Sequence, residues 1–225
     1  MKKSKVMLFG AMALTAGLAL AACGSSQSSN ADKTYSYIFV SNPDTLDYIT
    51  STRDSTSSIT TNLIDGLLEN DQYGNLIPSM AESWTVSKDG LTYTYKIRQG
   101  AKWYTSEGEE YADVTAHDFV TGLKYAADKK AENLYLVQDS IKGLADYVEG
   151  KSSDFATVGV KAVDDYTLQY TLNQPETYWN SKTTASILNP VNEAFLKSKG
   201  DDFGSVTPSS ILSNGPYLFK SFSSK

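Results

Sequence analysis

The 225-residue sequence predicts a mixed α/β fold, α+β in its arrangement, and three observations carry that expectation. Leu91, Tyr93, Tyr95 and Ile97 alternate with Thr92, Thr94, Lys96 and Arg98, a period of two that marks a half-buried strand. Leu168, Tyr170 and Leu172 repeat that pattern further along. Ile59, Leu63 and Leu67 recur instead at helical spacing, as do Phe119, Leu123 and Ala126. Hairpins in the middle of the chain with helices around them favour a mixed architecture over a purely parallel one.

In chain order, residues 35–40 read as a strand, ended by Asn42-Pro43-Asp44, because Pro43 has no N–H to donate and a fixed φ. Residues 46–56 are polar and irregular, 57–68 are expected to form an amphipathic helix, and 70–78 a loop. Residues 84–87 and 91–98 form a hairpin around Lys88-Asp89-Gly90. Thr115-Ala116-His117-Asp118 resembles a capping box with Asp in place of Glu, and opens the helix of Phe119. Ile141, Leu144, Ala145 and Val148 predict another helix. A second hairpin joins 158–163 to 167–172 across Asp164-Asp165-Tyr166. Asn192 is placed to cap a short helix over 193–199, stopped by Gly200. Ser213-Asn214-Gly215-Pro216 is a turn, and 217–222 a final strand.

The amino terminus reads as an export signal. Lys2, Lys3 and Lys5 precede an uncharged, largely apolar run over 6–22, shorter than the roughly 20 apolar residues of a membrane span and followed by small residues. Leu20-Ala21-Ala22-Cys23 resembles the lipobox of bacterial lipoproteins. That resemblance implies cleavage before Cys23 and thioether lipidation of its thiol. Cys23 is the one cysteine in the chain, so it has no internal disulfide partner. Residues 24–33 are small and polar with no apolar anchor, the composition of a flexible tether. Several acyl chains hold a protein to a membrane firmly where one does so only marginally. The expected location is the outer face of the cell membrane.

Without Lys2, Lys3 and Lys5 the remaining chain carries 17 basic and 26 acidic residues, a net charge of −9. That balance argues against nucleic acid as a partner. A mean hydropathy of −0.33 and 40% hydrophobic residues describe a soluble globular chain beyond the signal. About 190 residues follow the tether, enough to bury a sizeable core in one or two domains. Fifteen tyrosines and three tryptophans serve either core packing or an adaptable apolar cleft.

Enzymatic readings find little support. His117 is the only histidine, no Gly-x-Ser-x-Gly elbow is present, and one His with one Cys does not make a zinc site of the usual kind. Gly150-Lys151-Ser152 mimics the end of a P-loop, but Ala145 stands where its first glycine belongs, and the triplet follows a helix rather than a strand. The acidic pairs Glu109-Glu110, Asp164-Asp165 and Asp201-Asp202 read as turns and solvated faces. We expect no cofactor, no metal and no catalysis.

Leu46-Asp47, Leu63-Ile64-Asp65-Gly66-Leu67-Leu68, Gly74-Asn75-Leu76-Ile77-Pro78, Ala81-Glu82-Ser83-Trp84, Ser87 through Arg98, Ala101-Lys102-Trp103, Thr115 through Val120 and Asn214-Gly215-Pro216-Tyr217 occur in that order. Together they resemble the peptide/nickel-binding receptors of ABC importers, the family 5 solute-binding proteins. The Tyr-rich middle is most similar to the Ami/Ali-type oligopeptide-binding lipoproteins of Gram-positive bacteria. Tyr48 and the acidic loop 107–113 depart from the family pattern.

The resemblance implies a periplasmic-binding-protein-like type II (cluster C) fold that traps an oligopeptide between two lobes. Of this fold the chain is expected to supply only part: a signal over 1–22, a tether over 23–33, first-lobe segments over 34–66 and 200–225, and a peripheral subdomain over 67–199. The expected partners are oligopeptides, ABC permease subunits, and membrane lipid through acylated Cys23. The family's first-lobe contribution to the cleft maps to Thr52, Arg53 and Asp54, with Ser55 at its edge. The same polar residues also suit a solvated surface loop. A shortened chain further leaves open a remnant that binds nothing, or a surface adhesin or decoy.

Overall fold

In the computed structural model, residues 41–223 are described. The export signal, Cys23, the tether and the strand expected at 35–40 lie outside them. The period-two alternation around Tyr95 becomes β4 (Thr92–Ile97) of a four-stranded antiparallel sheet, after β1 (Leu68–Asn70), β2 (Leu76–Pro78) and β3 (Ala81–Val86). With β5 (Lys102–Tyr104), β6 (Glu110–Asp113), β7 (Val160–Asp164) and β8 (Thr167–Thr171) following, the sheet order is β3-β4-β8-β7. The two expected hairpins are therefore the two halves of this sheet, joined where Tyr95 faces Leu168 and Tyr93 faces Tyr170.

Alternation decides which face is dry. Tyr93, Tyr95, Ile97, Leu168 and Tyr170 are buried, whereas Lys96 between them is exposed. Trp179 packs at 6.2 Å from the Tyr93 ring and 5.3 Å from that of Tyr170. Tyr95 donates its hydroxyl to Asn180 Oδ1 at 2.6 Å, so the polar end of a fully buried ring is satisfied. Glu176 and Lys182 close this layer. Lys182 Nζ lies 2.9 Å from Glu176 Oε2, an ion pair without the alignment of a directed hydrogen bond. The Glu176 carbonyl in turn accepts from Tyr93 Oη at 2.7 Å.

After α1 (Asp54–Thr60), the main helix is α2 (Ala116–Asp128), and it begins as its sequence predicts. Thr115 N donates to Asp118 Oδ2 at 2.8 Å, closing a capping box. Trp103 Nε1 donates to the same oxygen at 3.1 Å. Burial pushes the Asp118 carboxyl up to about 6, against the lowering effect of these donors. Phe119, Leu123 and Ala126 line the buried face of α2, which packs on β7 and β8. Gly122 lets the helix approach the 186–189 segment, since a Cβ there would lie 2.2 Å from the Asn189 carbonyl oxygen. After α3 (Leu144–Val148) and α4 (Trp179–Lys182), α5 (Glu193–Lys199) is capped by Asn192, whose side chain accepts from Phe195 N at 3.0 Å. It ends at Gly200 with φ 53°.

Four expectations are corrected. The helix expected over 57–68 is α1, which runs from Asp54 only to Thr60. Thr60 Oγ1 and Thr61 Oγ1 donate back to the carbonyls of Thr56 and Ser57, at 3.1 and 2.7 Å. A Ser/Thr-rich stretch of this kind propagates a helix poorly. Ile59, Leu63 and Leu67 are all buried nonetheless, so their spacing reported burial correctly and helicity only in part. Residues 70–78 are not all loop: β2 pairs with β1, and Gly74 at φ 81° sits in the connection. The helix expected through Ile141 is confined to α3, while Ile141 forms a bridge to Leu172. No strand spans 217–222; Tyr217 N bonds instead to Asn62 O at 3.2 Å, docking this end on the turn after α1 rather than on a sheet edge.

Candidate functional site

The loop 44–53 is shaped by Asp47. Its carboxylate accepts from Ile49 N and Thr50 N, both at 3.1 Å, and from Thr50 Oγ1 at 2.6 Å. Tyr125 Oη of α2 donates to the same group at 2.8 Å. Burial, and then the charge of Asp47, hold the Tyr125 phenol far above its ordinary range, so it stays a donor at neutral pH. The segment after α5 closes the other side. Thr45 Oγ1 donates to Gly204 O at 2.9 Å, and a Cβ at Gly204 would fall 2.5 Å from Asp47 N. Gly204 has φ 72°, so both space and backbone conformation require glycine there.

The third wall is the end of α2. Ala131 N donates to Ala126 O at 3.0 Å and Lys130 N to Ala127 O at 3.1 Å, the paired bonds of a Schellman turn. The chain then enters a 3₁₀ turn, Glu132–Leu136. Thr52 Oγ1 donates to Glu132 Oε2 at 3.2 Å and so ties the loop to this turn.

Between these walls lie two adjoining polar concavities. One, of about 390 Å³, is bordered by Thr52, Arg53, Lys129, Lys130 and Glu132. The other, of about 300 Å³, is bordered by Asp47, Tyr125, Asp201 and Phe203. Thr45, Thr50 and Lys129 border both. Their volumes lie at the small end of the ~300–1,000 Å³ typical of ligand sites.

Of the residues the sequence singled out, Thr52 and Arg53 border the larger concavity. Arg53 Nε lies 3.1 Å from Asp44 Oδ2, and both side chains are well exposed. Asp54 and Ser55 open α1 and border neither concavity. Lys129, Lys130, Glu132, Tyr125 and Asp201 were not anticipated as site residues. They sit 70 or more positions downstream in sequence, and only the double lysine after the apolar spacing of α2 carried a local signal, that of a helix end.

The features weighed for catalysis are dispersed. His117 Nε2 lies 3.4 Å from Asp165 Oδ1 with both side chains largely exposed. Lys151 pairs with Glu149 at 2.6 Å just after α3. Among the described residues, no group of three or more His, Cys, Asp or Glu side chains could hold a metal ion, and no helix is long and apolar enough to cross a membrane.

Comparison with known proteins gives one consistent answer. The family model for bacterial extracellular solute-binding proteins, family 5, matches residues 75–225. Oligopeptide-binding protein AliB of Streptococcus pneumoniae is 66% identical over 223 residues, 99% of this chain and 34% of that protein. Oligopeptide-binding protein SarA of Streptococcus gordonii is 63% identical, over all of this chain and 35% of that protein. The chain thus spans about a third of the length of the curated relatives it matches. Among solved structures, peptide-bound OppA of Listeria monocytogenes superposes with a TM-score of 0.70 and 33% identity, over 78% of this chain and 33% of that one. A periplasmic oligopeptide-binding protein of Borrelia burgdorferi gives a TM-score of 0.72 at 27% identity, over 81% and 36%. The mixed α/β fold is therefore part of the fold of these binding proteins, as the ordered motifs implied, and solute binding rather than catalysis is what the family's description names. By its sequence and its fold this chain belongs to the bacterial extracellular solute-binding proteins, family 5.

Proposed function

We propose that this chain supplies part of an oligopeptide receptor that delivers its cargo to an ABC importer. The observation that carries the reading is identity above 60% with several oligopeptide-binding proteins across the whole chain. The polar groove between Thr52, Lys129 and Asp201 is the part of the surface that would face the peptide. Backbone donors and short hydroxyls on such a wall suit a peptide main chain, which offers the same amides whatever its side chains. Thr52, Arg53, Asp54 and Ser55 are the proposed contact segment. Closure of a second lobe over this wall would exclude water and strengthen every polar contact made across it.

Export and anchoring belong to the same proposal. Leu20-Ala21-Ala22-Cys23 supports cleavage and acylation at Cys23, and residues 24–33 would tether the binding region at the outer face of the cell membrane beside the permease subunits. Calorimetry on the protein as the cell makes it, titrated with mixed peptides of two to ten residues, tests the receptor reading. Binding of a peptide pool is the expected result. No heat with any peptide, together with clear binding of nickel or a sugar, would overturn it. Metabolic labelling with palmitate, lost on Cys23→Ala, is the expected result for the anchor.

A further inference from the structure

The end of α2 departs from what a helix end needs. Lys130 has φ 51°, and among the described residues every other positive φ belongs to glycine. A Schellman turn ordinarily places glycine at this position, because a Cβ is unfavourable in the left-handed region. Compensation of the helix dipole does not explain the lysine, since Lys129 already stands one residue earlier. Local pairing does not explain it either: neither Lys129 nor Lys130 forms an ion pair with any described residue. Lys129 does lie over the Tyr125 ring, its Nζ 5.9 Å from the centroid.

What Lys130 does reach is the groove. The larger concavity is bordered by three cations, of which Arg53 is already paired with Asp44, while Lys129 and Lys130 have no ion-pair partner among the described residues; its one carboxylate, Glu132, accepts from Thr52. The adjoining concavity carries Asp47 and Asp201. The groove therefore runs from a cationic end to an acidic one. We propose that Lys130, together with Lys129, seats a carboxylate of the bound peptide and biases the receptor toward ligands with negative charge at that point. The carboxylate is either the peptide's own C-terminus or an Asp or Glu side chain. This inference rests on the receptor reading above.

The test uses the protein as the cell makes it, with Lys130→Gly and Lys130→Gln. The probes are a peptide with one Glu, its Gln counterpart, and the C-terminal amide of each. Lys130→Gly should melt about 2 °C higher, because the turn regains its preferred residue. Both variants should bind the charged peptide about two- to fivefold more weakly, the range expected of one partly solvated ion pair, and leave the neutral amide unchanged. A loss that follows the amide identifies the terminus as the source, and one that follows the Gln peptide identifies the side chain. If the wild type binds peptides and both variants keep its ratio of charged to neutral affinity, the Lys130 assignment is overturned and the receptor reading stands. A wild type that binds no peptide overturns the receptor reading, and this inference with it.

Discussion

Tyr95 and Asp47 are both nearly closed to water, at 0% and 7% exposure, yet they hold their surroundings by different means. Tyr95 sits in a sheet where its ring meets that of Tyr170 at 6.2 Å and the cross-strand register is set by alternation. Asp47 sits in a loop with no strand or helix, where one carboxylate gathers two amides and two hydroxyls. The sheet is stabilised by a backbone ladder together with buried area, the groove loop by four bonds to one carboxylate. With no ladder beside that carboxylate, the groove loop should be the part that a subtle change unfastens.

The largest effect should come from the sheet. Tyr95→Ala removes a fully buried ring and should cost about 4 kcal/mol in chemical denaturation. A loss below about 1 kcal/mol would mean the sheet is not the centre of the core. Next is the layer above it. Lys182→Met leaves Glu176 buried without its cation and should cost about 3 kcal/mol, with Glu176→Gln in the same chain restoring most of it.

Asp118 gives a pH signature. Its carboxyl titrates near 6 in the fold but near 3.8 in a free chain, so folding takes up a proton between those values. The stability this contributes is present below about pH 4 and is lost as pH rises through 6, a change of about 3 kcal/mol. Asp118→Asn keeps an acceptor for Thr115 N and Trp103 Nε1, and its stability relative to wild type should rise across that window. A flat difference would remove burial as the cause.

The smallest effect is the one that separates the two regions. Asp47→Asn keeps an acceptor for the two amides but loses one for the Thr50 and Tyr125 hydroxyls, at a cost of about 1 kcal/mol. Amide exchange should speed up over 45–53 and not in β4 or β8. Equal acceleration in both would show that loop and sheet open as one unit.

The two regions also differ in what their sequence discloses. The hairpins of β3–β4 and β7–β8 were legible because a half-buried strand writes its two faces into alternate residues. The start of α2 was legible because Thr115 and Asp118 lie three apart, and the cap at Asn192 for a similar local reason. The helix over 57–68 was misread because apolar spacing reports which side chains are buried, and Ile59, Leu63 and Leu67 are buried in a turn and a strand approach as well as in a helix. The terminal strand over 217–222 was misread because strand-forming residues need a partner edge, which no local pattern records. The groove was the least legible part. Thr52 meets Glu132 across 80 positions, and Thr45 meets Gly204 across 159. Only a strained lysine and a close glycine contact, both properties of the folded backbone, mark where it lies.

That longest contact has a bearing on how the molecule comes into being. Whatever brings the polypeptide out amino end first, Thr45 and Asp47 emerge long before Gly204 exists to lock them. During synthesis, at roughly 5–20 residues per second, the wait is on the order of 10–30 s. The sheet, made mainly of near neighbours, can form during that interval, while the groove must stay unfinished until the chain doubles back. Within residues 41–223 the loop around Asp47 should therefore be completed after the sheet.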